Sequence, residues 1–256
     1  MKKFAVVFPN KFSASKNILE QFQKLNIPNN VEIVKTEIES IYNENLDKKI
    51  KADYFIFATK HQSKAGVKSL CVHPIGNYSK AELGGKDKEL VNTIPSCMKT
   101  AVLELSKINT LTGFEIAFEA THHGPYLEKP CMFIEIGSSE DEWKDENAGK
   151  IIAKTILETV KSNKKYKSCI ILGGNHYNAV AKKIILNTEY AVSHVCPKHN
   201  LKNLDSKMLK QMINKSEGKV ELVVLDWKGL GDEKQRILKL LEDDEINYKR
   251  YDQISK

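Results

Sequence analysis

The sequence predicts an α/β fold, with a mixed, largely parallel sheet flanked by helices. Short apolar runs of strand length alternate with longer amphipathic stretches over most of the 256 residues, the pattern of a sheet covered by helices. All seven histidines fall between His61 and His199, and six come at or just past the end of such a run. Side chains that emerge where parallel strands end converge on one crevice. A chain of this length buries a sizeable core. With no repeat, low-complexity tract or Pro-rich linker, residues 1–256 read as one domain.

Strands are expected at 3–8, 31–34, 54–58, 69–73, 114–120, 131–136, 168–172, 190–195 and 219–225, nine in one sizeable sheet. Helical periodicity is clearest at 140–160, 178–186, 205–213 and 233–241. The first of these has a start signal: Ser138 and Ser139 can cap it, and Glu140, Asp141 and Glu142 put negative charge on its first turn, where the helix dipole favours it. Residues 74–110 hold Gly76, Gly84, Gly85 and Pro95 ahead of a helical stretch at 96–107. They read as an insertion forming one wall of the crevice.

No apolar run approaches the roughly 18 residues that span a bilayer, and the apolar stretch after Met1-Lys2-Lys3 is too short for a signal peptide. A soluble, cytoplasmic protein without a membrane partner is expected. Five cysteines, an odd count with no CxxC pair, indicate reduced thiols rather than disulfides or a zinc ribbon. The net charge of +7 is carried by lysine, since Arg236 and Arg250 are the only arginines. Lysine suits phosphate backbones and is poor at bidentate base readout, which excludes sequence-specific DNA recognition as the natural use of this surface.

The densest motif is Thr121-His122-His123-Gly124-Pro125-Tyr126. Adjacent histidines in a strand point to opposite faces, but at a strand end entering a Gly-Pro turn both can swing toward one ligand. One or both of His122 and His123 are expected to be metal ligands or proton carriers, with a structural pair as the alternative. In Phe133-Ile134-Glu135-Ile136-Gly137 a carboxylate sits inside an apolar strand, where it must be paired, coordinated or neutral. Glu135 is a metal ligand, a general base or half of a structural ion pair; Glu115 and Glu119 on the preceding strand raise the same question. In Gly173-Gly174-Asn175-His176-Tyr177 a buried strand opens through two glycines, whose amides can approach an oxyanion beside His176. The last motif, His194-Val195-Cys196-Pro197-Lys198-His199, separates two histidines by five residues, a spacing over which a loop can gather two ligands. His61 and His73 repeat the plan of a strand followed by histidine. No P-loop, zincin helix, nucleophile elbow or dinucleotide fingerprint is present. A hydrolase or transferase site of histidine, carboxylate and backbone donors remains, with or without zinc.

Taken together, these motifs resemble the archaeal and plant type of D-aminoacyl-tRNA deacylase. The likeness rests on the four motifs above, with Ser138-Ser139 and Glu142-Trp143 behind Glu135, and on His61 with Ser63 and Gly66 and His73-Pro74 with Gly76-Asn77. It implies a phosphorylase/hydrolase-like α/β fold, hydrolysis of the ester between a D-amino acid and the 3′ end of tRNA, and Zn2+ as cofactor. It further implies zinc held by some of His122, His123, Glu135, His176, His194 and His199, with Gly173 and Gly174 as oxyanion donors. Lys60, Lys64, Lys198 and Lys202 would then meet acceptor-end phosphates, and His61 and His73 would orient the substrate. Attack by a terminal ribose hydroxyl or a positioned water, with histidine as base, is the competing mechanism. Two other readings stand beside it: a zinc-dependent exopeptidase or amidase on a related fold, and a non-catalytic tRNA- or metal-binding protein. A monomer or small homo-oligomer is expected.

Overall fold

A computed structural model describes residues 2–63 and 66–254. The first apolar run forms β1 (Phe4–Pro9), buried throughout, and the helix α1 (Ser13–Gln23) returns the chain to β2 (Val31–Thr36) in parallel register. On the other side of β1 lies β3 (Tyr54–Gln62), also parallel. The chain continues through β4 (Ser69–His73), α2 (Pro95–Ile108), β5 (Glu115–Phe118) and β6 (Cys131–Ser138). These strands make a six-stranded sheet of order β2-β1-β3-β6-β4-β5. Its single antiparallel pairing is between β4 and β6.

Beyond α3 (Glu140–Lys144) and α4 (Glu146–Lys161) come β7 (Lys167–Leu172), α5 (Ala179–Asn187), β8 (Tyr190–Cys196) and α6 (Ser206–Asn214). Then follow β9 (Val220–Leu225), α7 (Lys234–Asp243) and β10 (Tyr248–Arg250). The strands among them form a second, all-parallel sheet of order β10-β9-β7-β8. The expected α/β architecture with a largely parallel sheet is present, but its strands divide into two sheets rather than one. A shared core, with Val6, Ile56, Ile134, Ile152, Ile171 and Val192 in one contiguous buried cluster, holds the sheets together. Among the described residues no helix is long and apolar enough to cross a membrane.

Three further elements differ from expectation for physical reasons. The strand β10 is only three residues, Tyr-Lys-Arg, too short and polar to show alternation. The helix α1 has no side-chain cap, and its signal is confined to the stripe Ala14, Ile18, Leu19 and Phe22. The expected helix at 140–160 is broken at Asp145, whose backbone is extended (ψ 108°). The Asp145 carboxylate caps α4 by accepting from the Asn147 and Ala148 amides at 2.8 and 3.2 Å. Asn17 on α1 seals the break, donating to the carbonyls of Trp143 and Asp145 at 3.0 and 2.7 Å. At the start of α3, Ser139 and Glu142 form a capping box, as the acidic first turn suggested.

Residues 74–110 fall into two parts. The first presses against the His122–Gly124 turn, with the Gly76 amide donating to the His123 carbonyl at 2.8 Å and the Gly124 amide to the Leu83 carbonyl at 2.9 Å. The second is α2, whose Met98, Ala101, Val102 and Leu105 are buried in the shared core.

Replacing Asp145 by alanine leaves the first turn of α4 uncapped and is expected to lower unfolding stability by about 1 kcal/mol. Urea denaturation at neutral pH measures it, and an unchanged midpoint would show that the cap is dispensable.

Candidate active site

Strand register brings the chemistry to one face of the first sheet. Thr59 on β3, Glu135 on β6 and Cys71 on β4 are lateral neighbours, and paired residues on adjacent strands share a face. Two residues on, His61 and His73 lie on that same face at the ends of β3 and β4. Between them the sheet is closely packed. A Cβ at Gly137 would lie 2.8 Å from His61 Cδ2 and 2.6 Å from Ser69 Oγ, so glycine leaves the space that the imidazole occupies.

The other members come from the seam between the sheets. Glu119 follows β5 and bridges to Tyr177, while the Ala120 amide donates to the His176 carbonyl at 2.8 Å. His123 adopts a left-handed backbone (φ 44°), which turns its ring to the same side as that of His122; their centroids are 4.3 Å apart. His73 and His176 contact the His122 ring at 4.3 and 4.5 Å between centroids. Above this floor opens a cavity of about 790 Å³, lined among others by Lys60, His61, His122, His123, Glu135 and His176.

Both carboxylates are buried, and their charge partners are histidines. Glu119 Oε2 accepts from His176 Nε2–H at 3.0 Å and lies 3.6 Å from His122 Nε2, while Oε1 faces His61 Nδ1 at 3.3 Å. Glu135 Oε2 lies 3.6 Å from His61 Nδ1 and 3.5 Å from His73 Nε2. The far nitrogen of His61, Nε2, is 2.5 Å from the Tyr177 hydroxyl. Burial alone would raise both carboxyl pKa values, but the His176 hydrogen bond and the charges of His73 and His61 bring Glu119 down to about 2. The imidazoles of His61 and His73, close against its carboxylate, likewise lower Glu135. Burial works against protonating His61 and His73, yet the two carboxylates outweigh it and raise both. For His122 and His123 burial dominates and neighbouring imidazoles add to it. The first is held well below the usual range and the second goes down to about 4.

Three imidazoles are anchored in the same way. His73, His122 and His123 each place Nδ1 on a backbone carbonyl, at Pro74 (3.1 Å), Ala120 (2.7 Å) and Gly124 (2.6 Å). A carbonyl only accepts, so Nδ1 carries the hydrogen and Nε2 faces the cluster, the orientation of metal-binding histidines. Ligand atoms of these three lie within 4.8 Å of one another. So do those of the triplets Glu119, His122 and His176; His73, Glu119 and Glu135; and His61, Cys71 and Glu119. His73 Nε2 and Glu119 Oε1 are buried without a hydrogen bond, as expected of atoms with vacant ligand capacity.

The structure thus gathers His61, His73, His122, His123, Glu135 and His176, with Lys60 at the mouth, where its Nζ lies over the Phe12 and Trp143 rings. It leaves His194 and His199 outside. His194 is fully buried with both nitrogens engaged: Nε2–H donates to the Lys215 carbonyl at 3.0 Å, and Nδ1 accepts from the Thr121 hydroxyl at 3.2 Å. It is therefore corrected from a ligand to a support for the turn that carries His122. His199 belongs to a separate cleft of about 470 Å³ that His176 shares, together with Lys198 and Lys202. The amides of Gly173 and Gly174 already donate to the carbonyls of Cys196 and Gly229, at 2.8 and 3.3 Å, so they are not oxyanion donors. Lys64 lies outside the described residues. Sequence reasoning underrated Glu119, grouped with the exposed Glu115, and missed Cys71. Glu119 lies three residues before His122, and that spacing within the motif was its available signal.

An α/β protein with a buried histidine and carboxylate centre under an open cavity is the class that fold and site define. A family model described as D-aminoacyl-tRNA deacylase matches residues 48–249, and the chain belongs to that family. The D-aminoacyl-tRNA deacylase of Pyrococcus furiosus is 40% identical over 216 residues, covering 82% of this chain and 79% of that protein. For the Thermococcus kodakarensis deacylase the identity is 37% over 223 residues, covering 84% and 81%. That of Methanosarcina acetivorans is 35% identical over 220 residues, covering 82% and 73%. A crystal structure of a conserved protein of unknown function superposes with TM-score 0.91 at 28% identity, over 99% of this chain and 96% of that one.

The His194 pKa is pushed down to about 3, first by burial. A histidine whose folded pKa is depressed adds stability above its unfolded value near 6.5, and that stability is lost as pH falls toward 3. H194N is therefore expected to flatten the loss of stability between those pH values, read from urea midpoints, without changing metal content. A metal content that falls with H194N would return His194 to the ligand set.

Proposed function

We propose that this chain hydrolyses the ester between a D-amino acid and the 3′ end of tRNA, recycling the tRNA and removing mischarged D-amino acids. One observation carries the reading: a buried cluster of histidines and two glutamates floors an open cavity in a chain 35–40% identical to archaeal deacylases of that name. The cavity lies in the size range of small-molecule sites, suited to an aminoacyl group on its terminal ribose. The substrate's scissile ester enters the cavity while the rest of the tRNA stays outside.

Zinc suits the donor set. His73, His122 and His123, with Nδ1 fixed on carbonyls, and Glu119 are the ligands favoured here. Zinc held there would supply Lewis acidity, lowering the pKa of a water toward about 7 and polarising the ester carbonyl. Glu135 lines the cavity as an ionised carboxylate and accepts the proton that the attacking water releases. His61, held by both glutamates and by Tyr177, fixes the Glu135 carboxylate. His176, anchored on Glu119, forms the wall between the cavity and the cleft bordered by Lys198 and Lys202. In this reading those lysines and Lys60 meet acceptor-end phosphates. The enzyme acts where aminoacyl-tRNA is made and used, in the cytoplasm, as a monomer or small homo-oligomer.

Side-by-side assays on D-tyrosyl-tRNA and L-tyrosyl-tRNA are expected to show cleavage of the first and sparing of the second. Equal cleavage of both, or of neither, sinks the assignment, and a peptide turned over without tRNA would favour the peptidase reading. Replacing a ligand, as in H122A or E119Q, is expected to lower kcat/KM by about 100-fold or more and to reduce bound zinc by elemental analysis. Full activity after rigorous chelation, with no metal detected, would remove zinc from the mechanism.

A further inference from the structure

Five large apolar side chains stand exposed among the described residues; of these, Ile38 and Tyr42 flank the stretch 39–41 that lines the cavity, and Leu83 lines it too. They are 49%, 46% and 54% exposed, well beyond what packing requires. Ile41 and Leu83 also line the cavity, so apolar surface runs from inside the mouth out over its rim. The two stretches are locked together. Gly84 has a left-handed backbone (φ +72°), and a Cβ there would lie 1.8 Å from the Ile41 carbonyl oxygen, so no other residue permits so close an approach. The Glu44 carboxylate accepts from the Gly85 and Tyr126 amides at 2.6 and 2.7 Å, and Asn43 donates to the carbonyls of Ile38 and Glu39 at 3.1 and 2.9 Å. The rim is thereby fixed to the turn that carries His122 and His123.

We infer that this rim is a stacking platform for the unpaired nucleotides that precede the esterified 3′ adenosine of the substrate. The inference rests on the deacylase reading. With the ester held in the cavity, the neighbouring nucleotides must cross the mouth. Their bases gain free energy by lying on aromatic and apolar faces whatever their identity, which suits an enzyme that must accept many tRNAs. Large apolar side chains left exposed together beside a site mouth mark a binding surface, and a preformed rim binds without the entropy loss of ordering loops. The cleft beyond His176 is lined by Lys198, His199 and Lys202 with Asp232 and Glu233, and it presents no large apolar or aromatic side chain other than imidazoles on which a base could lie.

The test compares wild type with Y42A and I38S/Y42A on D-tyrosyl-tRNA and on D-tyrosyl-adenosine, which lacks the preceding nucleotides. Expected is a loss in kcat/KM of about 10-fold or more on the tRNA, borne by KM, with the small substrate cleaved as by wild type. No loss on either substrate, or equal loss on both, overturns the platform while leaving the deacylase reading intact. A wild type inactive on D-tyrosyl-tRNA overturns that reading and the platform with it. Sedimentation of wild type and I38S/Y42A covers the remaining occupant. A dimer that dissociates in the variant would reassign the rim to contact between copies and overturn the inference.

Discussion

Two carboxylates buried side by side are the constraint around which the centre is built. Glu119 is 0% exposed and Glu135 4%. Taking such a group out of water costs several kcal/mol unless its charge is answered nearby. The answering groups here are histidines throughout, at five contacts between 3.0 and 3.6 Å. A lysine or arginine would answer the charge permanently. Histidine answers it conditionally, since an imidazole can hold a proton or surrender it and keep a lone pair. The opposed shifts follow: His61 and His73, each acted on by both carboxylates, are raised, whereas burial, with neighbouring imidazoles adding to it, lowers His122 and His123. A divalent cation supplies the same two positive charges and lets those protons go. Such a cluster is balanced in either condition, and this is what makes it suited to holding metal.

The position of the centre explains the division of the strands into two sheets. His61, His73 and Glu135 come from the first sheet, His176 and Tyr177 from the turn that leaves β7 of the second. Residues 119–121 stitch the two, through the Glu119–Tyr177 bridge and the amides of Ala120 and Thr121, which donate to the carbonyls of His176 and Val195. His194 completes the seam from beneath. The Thr121 hydroxyl accepts from the Val195 amide and donates to His194, so the residue beside His122 is tied to β8 by side chain and backbone alike. One continuous sheet would place these residues along a row. The seam instead lets them close around a volume.

What was legible in the sequence was the strand-end rule. Apolar runs marked nine of the ten strands, and the histidines at their ends met wherever those strands belong to the first sheet or its seam. His194 broke the rule because β8 belongs to the second sheet, where its ring is fully buried with both nitrogens taken up by the Lys215 carbonyl and the Thr121 hydroxyl. The Gly173-Gly174 turn misled for a different reason. Two glycines announce a tight turn, but whether their amides face a cavity or the carbonyls of Cys196 and Gly229 depends on the end of β8 and on a loop still further downstream. Glu119 looked like Glu115, four residues earlier, because local pattern carries no record of which carboxylate will be buried. Nothing in the periodicity distinguishes one sheet from two, since the division of β1 to β6 from β7 to β10 is set by tertiary strand pairing.

The same arrangement makes the centre one energetic unit. Glu119 faces His61, His122 and His176, and His61 faces both glutamates and Tyr177. Every pair therefore shares a partner with another pair, and in a desolvated network the loss of one member changes the charge state of the rest. Removing Glu119 takes away the partner that keeps three imidazoles oriented, so a second removal among those three has less left to destroy. Double substitutions within the cluster should accordingly be far from additive, whereas one inside it and one at the Ile38–Tyr42 rim, which share no partner, should combine nearly independently. Under that condition, assigning each histidine a separate role as ligand or proton carrier describes a particular state of the cluster. The buried pair of carboxylates, which persists in every state, defines the site.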